Sequence, residues 1–173
     1  MQKIILIGFL FLLAGCQQQD KLQHISARTD PQDFAASLYG YVLANQFLES
    51  PYDQEHFAKA FFTEDFFNHL TAVQNHDGQL KDAVGCLYFP IFRGVQDVFK
   101  RFLVGKVKNY TNHAMVSIDL AFDYQDKPQH QLDLYLVKTP QGWRIFDIVY
   151  QNPSTTLYSY LVNCLQQRGV FPE

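Results

Sequence analysis

Two hydrophobic rhythms divide the chain. From about residue 30 to residue 75 apolar side chains recur at intervals of three and four, whereas from Arg101 onward they recur at every second position. The first rhythm marks helices with one buried face, and the second marks half-buried strands. Asp30-Pro31 opens the first helix: Asp30 can accept from unpaired first-turn amides, Pro31 has no amide to lose, and Asp33 puts negative charge at the positive helix end. Phe34, Leu38, Tyr41, Val42 and Leu48 form its apolar face, and Ser50-Pro51 stops it. A short helical segment is expected from Glu55 to Phe61. Thr63 then caps a third helix, with Glu64 and Asp65 in its first turn, Phe66, Phe67, Leu70 and Val73 inward, and a break at Asn75-His76-Asp77-Gly78.

The stretch to Gln96 fits neither period and is punctuated by Gly85, Pro90 and Gly94, so it reads as a long structured loop. Beyond it, Ala114, Val116, Ile118, Leu120, Phe122 and Tyr124 alternate with His113, Ser117, Asp119 and Asp123. Leu132, Leu134 and Leu136 repeat the alternation after a turn at Asp126-Lys127-Pro128, and Thr139-Pro140-Gln141-Gly142 turns the chain into Trp143 to Tyr150. With Arg101 to Tyr110 this predicts an antiparallel meander of about four strands. Asn152-Pro153-Ser154 should start a last helix, with Leu157, Leu161, Cys164 and Leu165 on one face and Gly169 at its end. The expectation is a single α+β domain over residues 30–173, its N-terminal helices packed on a curved sheet.

The amino terminus follows neither rhythm. Lys3, the apolar run Ile4 to Leu13 and small Ala14 and Gly15 make residues 1–15 an export signal. The run is roughly half the 20 residues a spanning helix needs. Leu13-Ala14-Gly15-Cys16 resembles the bacterial lipobox, which implies cleavage before Cys16, a diacylglyceryl group on its sulfur and an acylated amine; such an anchor is effectively permanent. Gln17 stands where Asp would resemble an inner-membrane retention signal, so attachment to the outer membrane facing the periplasm is expected. After Cys16, Gln17 to Thr29 is polar and reads as a tether reaching roughly 40 Å when extended, so residues 16–29 would be anchor and leash.

Composition adjusts this picture in three ways. The 173 residues suit one domain, and 16 Phe, 10 Tyr and 1 Trp can build a core without disulfide scaffolding. The formal charge of −3 becomes one unit more acidic once Lys3 is removed with the signal, which disfavours nucleic acid as a partner. Against that acidic background Arg93, Lys100, Arg101, Lys106 and Lys108 face only Asp97. They form either a docking patch for an acidic partner or lipid headgroups, or a strand edge protected by lysines. The two cysteines left after lipidation, Cys86 and Cys164, are an even pair in an oxidising compartment and invite a disulfide, although Cys164 also suits the apolar stripe of the last helix.

The order of elements, ending in Gly142-Trp143-Arg144-Ile145-Phe146-Asp147-Ile148, is similar to the nuclear transport factor 2-like cone, in which a curved sheet wraps the first helix. With the lipobox and the Gly85 to Asp97 segment, it resembles the small bacterial envelope lipoproteins known as domain of unknown function 3828, over about Pro31 to Gln167. That resemblance implies a pocket between helices and concave sheet, where enzymatic members of the superfold hold an Asp, His or Tyr. The candidates are Asp147, His113, Asp119, His76, Asp77 and Tyr88, with Tyr41 and Trp143 as further pocket residues. Asp147 has apolar neighbours on both strand faces, so burial would raise its pKa, unless it caps a helix or pairs with Arg144 or Lys138. Asp119 and Asp123 suit a solvated strand face, and His76-Asp77 suits turn chemistry.

The six histidines show no metal-ligand spacing, and neither a Gly-x-Ser-x-Gly elbow nor a phosphate-binding glycine loop is present. The expectation is therefore a non-catalytic lipoprotein, without cofactor or metal, that binds a protein partner in the periplasm: an envelope channel or secretion component, or a toxin it neutralises. The alternative is small-molecule binding, or weak catalysis, in the cone pocket.

Overall fold

Asp30 starts the first helix as its chemistry requires: its carboxylate accepts from the amides of Gln32 at 2.7 Å and Asp33 at 3.1 Å. Helix α1 (Pro31–Asn45) buries Phe34, Leu38, Tyr39, Tyr41 and Val42 along one face. Helix α2 (Glu55–Phe61) follows, and α3 (Glu64–Asp77) is capped by Thr63, whose hydroxyl accepts from the Phe66 amide at 3.3 Å. This computed structural model describes residues 22–46, 55–79, 85–87, 90–122, 130–151 and 154–169. Residues 1–15, expected to be an export signal, and Cys16, Leu48, Tyr88, Asp123 and Tyr124 lie outside the described residues.

The second half is an antiparallel meander in the order β1-β2-β3-β4-β5. Its strands are β1 (Phe99–Asn109), β2 (His113–Phe122), β3 (His130–Thr139), β4 (Gly142–Gln151) and the short β5 (Ser154–Thr156). Ala114, Val116, Ile118, Leu120 and Phe122 are all buried, as are Leu132, Leu134 and Leu136. Irregular register at Phe99/Arg101 and Val104/Val107 in β1, and opposite Tyr135/Leu136 in β3, interrupts the ladders; bulges of this kind bend and twist a sheet, and this one stays open. The sheet therefore has five strands rather than about four, because Ser154–Thr156 pairs with β4 before the last helix begins. Helix α4 (Leu157–Gln167) is capped by Thr156, and Gly169, at φ +69°, lies just past its end.

Helices and sheet meet in an aromatic interior. Phe57 and Phe61 have ring centroids 4.7 Å apart, Phe62 and Phe66 4.8 Å, and Phe92 lies about 6 Å from Tyr39, Phe57 and Phe62. Two buried hydroxyls fix the loop carrying Phe92: Tyr39 donates to the Phe92 carbonyl at 3.0 Å and Tyr150 to the Ile91 carbonyl at 2.6 Å. Gly94, at φ +67°, closes that loop where a Cβ would strike the Tyr150 ring. Cys86 and Cys164 are joined by a disulfide across a sequence separation of 78, a closure worth roughly 4 kcal/mol in the chain-entropy account.

The segment expected to be leash is different from residue 22 onward. Residues 22–26 form a helical turn whose Leu22 and Ile25 are 2% and 6% exposed within the core. The Trp143 indole donates to the Thr29 carbonyl at 3.0 Å. Gly142, at φ +111°, lies where a Cβ would run into the Ser26 carbonyl oxygen, so the β3–β4 turn and this segment are in direct contact. Two apolar residues three positions apart, among polar neighbours, are too few to display a helical period. Replacing Leu22 with Ala should cost about 2–3 kcal/mol in urea unfolding. A change within about 0.5 kcal/mol would return the residue to the leash.

Candidate functional site

The three described residues expected to line one pocket are held in three separate environments. Tyr41, 5% exposed on α1, stacks on Phe57 with centroids 5.6 Å apart. Trp143, 2% exposed, lies under the amino-terminal segment with the Lys138 ammonium 5.8 Å from its ring centroid. Asp147 sits at the β4 irregularity opposite Tyr135. None of the three lines either of the two described cavities. Tyr88 lies outside the described residues.

Asp147 does the helix-terminus work that its alternative reading anticipated. One carboxylate oxygen accepts from the Ile148 amide at 2.8 Å and from the Tyr158 amide, in the first turn of α4, at 3.0 Å. Burial pushes its pKa above the ordinary carboxylate value, against the opposing pull of the Tyr158 and Ile148 amides and the Thr156 hydroxyl. The group thus joins β4 to α4, and its hydrogen-bonding oxygen is occupied by backbone.

The other acids and histidines are similarly committed. Asp77, the last residue of α3, accepts from the Cys86 and Leu87 amides, each at 2.9 Å, and so positions the disulfide-bearing loop. His76 is within the same last turn and not in a free turn. Asp119 accepts from the Gln131 side chain at 2.7 Å, and His113 packs edge-on against Phe146 with centroids 5.9 Å apart. Among the described residues no three His, Cys, Asp or Glu side chains are grouped to hold a metal.

Sequence reading missed Asp133 and His130. Asp133 is 6% exposed although it alternates with Leu132 and Leu134, and its carboxylate accepts from Gln151 at 2.5 Å. Its other oxygen has no protein partner, and neither has the Nε2 atom of His130, whose pKa burial lowers. Alternation puts His130 on the buried face with Leu132 and Leu134, but puts Asp133 on the opposite face without saying that this face is covered.

The charged patch divides in two. Lys100, Arg101, Lys106 and Lys108 are exposed on β1, the end strand of the sheet, while the Arg93 guanidinium is half-buried and donates to the Gln96 and Asp97 carbonyls. Gly105 and Lys106 occupy an irregularity opposite Ser117, and Leu103 and Tyr110 on or beside the same strand are 60% and 62% exposed. Beside its beginning, Leu43, Phe102, Leu103 and Ala121 line a cavity of about 350 Å³ together with Lys100, Arg101 and the candidate Asp119, which pairs with Leu103 across the ladder. No described helix is long and apolar enough to cross a membrane. Comparison with known proteins assigns no family: no family profile, no curated protein and no solved structure matches the chain.

Asp147 makes a prediction about pH. Its raised pKa means that ionisation costs the folded state more than the unfolded one, so its favourable contribution exists below the ordinary carboxylate pKa and is lost as pH rises through the folded value. Asp147→Asn keeps an oxygen for the two amides and removes the charge. Unfolding measured at about pH 3 and about pH 7 should show the variant gaining stability relative to wild type at the higher pH. A difference that does not change with pH would refute the assignment.

Proposed function

We propose that this chain is a bacterial envelope lipoprotein, anchored through Cys16 to the outer membrane with a nuclear transport factor 2-like domain in the periplasm, and that it binds a protein partner without catalysis. The observation that carries the reading is β1. Exposed Leu103 and Tyr110 stand among Lys100, Arg101, Lys106 and Lys108, at the end of the sheet and in an acidic chain. Exposed apolar side chains within a charged rim are the usual composition of a protein docking surface, and local positive charge steers an acidic partner towards it. The use of Asp147, Tyr41 and Trp143 in structural contacts supports binding at the surface over chemistry in the interior.

The anchor and the surface are tested separately. Cys16→Ser should move the protein from the membrane to the soluble fraction of the envelope, and continued recovery with membranes would remove the anchor from the proposal. For the surface, a photo-crosslinking residue at Leu103 or Tyr110 in living cells should give one discrete adduct. Lys106→Glu with Lys108→Glu should reduce that adduct by about tenfold at unchanged protein level, as expected when rim charges are reversed. An adduct indifferent to both reversals would count against β1 as the docking face.

A further inference from the structure

A second recognition site lies away from β1, where the α2–α3 corner meets the β3–β4 hairpin. The walls of this cleft are tied together: Phe62 pairs with Ile145 in a parallel bridge, and the Thr63 amide donates to the Ile145 carbonyl at 2.9 Å. Between them is a cavity of about 660 Å³, lined by Lys59, Phe62, Glu64 and Phe67 on the helical side and by Gln141 and Arg144 on the hairpin side. The volume suits one or two amino-acid side chains.

Arg144 is the group that the described residues leave least satisfied. The residue is half-buried, yet among the described residues it makes a single hydrogen bond, from Nη1 to the neighbouring Trp143 carbonyl at 2.9 Å. No acidic side chain among the described residues pairs with it. Burial lowers its pKa, because the charge has lost water without gaining a counter-ion. A guanidinium carries five donors in a planar fork that matches a carboxylate, so several remain for a ligand.

The surroundings narrow the class of anion. Arg144 shares the lining with Glu64, so a monoanion suits it better than a phosphate dianion, whose second charge would stand beside that carboxylate. Phe62 and Phe67 add an aromatic wall, and the Lys59 ammonium stands 5.6 Å from the Phe67 centroid. The ligand is therefore an organic anion with an apolar body.

We infer that this cleft receives a carboxylate side chain next to an apolar residue in a peptide segment of the partner protein, with Arg144 as its charged contact. The inference rests on the reading of the chain as a partner-binding protein and names a second point of attachment. Arg144 supplies the bidentate contact, Lys59 the supporting charge, and Phe67 the surface against which the apolar residue packs.

The test uses the full-chain, isotope-labelled protein in detergent micelles. It is titrated with a blocked phenylalanyl-aspartate dipeptide, with the asparagine isostere, and with inorganic phosphate. The acidic dipeptide should shift the Arg144 Nε–H and Phe67 amide signals saturably, and the isostere should bind at least about tenfold more weakly. Arg144→Gln should abolish that preference with an unchanged thermal midpoint; Arg144→Lys, which keeps charge without the fork, should retain only part of it. Equal binding of the two dipeptides, no binding of either, or shifts with phosphate alone would each overturn the proposal. The dipeptide needs no cellular partner. A crosslinker at Leu103 or Tyr110 that gives no adduct while dipeptide binding is retained therefore removes the docking face, and the converse removes the cleft.

Discussion

Two buried tyrosine hydroxyls and one phenylalanine ring join the loop at Ile91 and Phe92 to helix α1 and strand β4. The Phe92 carbonyl accepts from Tyr39 of α1 and the Ile91 carbonyl from Tyr150 of β4, while the Phe92 ring packs against Tyr39, Phe57 and Phe62. An unpaired carbonyl in such an interior would cost about 1–3 kcal/mol, so each tyrosine must keep its partner for the surrounding packing to be favourable. The loop's conformation, the seat of α1 and the end of β4 are thus specified together. Desolvation raises the Tyr39 pKa well above its ordinary value, which keeps the hydroxyl a donor over the physiological range.

That constraint explains why the interior is closed around the residues that looked most chemical. Tyr41 is fixed by stacking on Phe57, Trp143 by the Thr29 carbonyl, and Asp147 by two amides at the β4–α4 junction. Each is polar, each is part of the frame, and moving any one exposes apolar surface or leaves a polar group unpaired. The exposed apolar side chains lie at the surface instead, Leu103 and Tyr110 on or beside β1, and Arg144 makes one hydrogen bond among the described residues.

Much of the fold was legible because its signals are local. Asp30 and Thr63 cap the helices they were expected to cap, and even-numbered burial from Ala114 to Phe122 follows directly from the pleat. Residues 154–156 and 22–26 were less legible because three to five residues cannot display a period; their structure comes from β4 and the core. The candidate site was less legible still. Alternation says which face Asp147 occupies but not that α4 begins beside it, and it cannot show that Asp133, between two leucines, is 6% exposed. Periodicity reports burial along one element, whereas a site is defined by which elements converge.

The contact between the amino-terminal segment and the β3–β4 hairpin also has a mechanical meaning. Tension on the chain ahead of Leu22 would meet, before α1, the buried Leu22 and Ile25 side chains, the Gly142–Ser26 contact and the bond between Trp143 and Thr29. The load enters at the hairpin, beside Arg144, and is shared among several contacts before any strand is pulled. A chain held at its amino terminus therefore transmits force to the end of the domain that carries the cleft, while β1 lies three strands away from β4 in the sheet order.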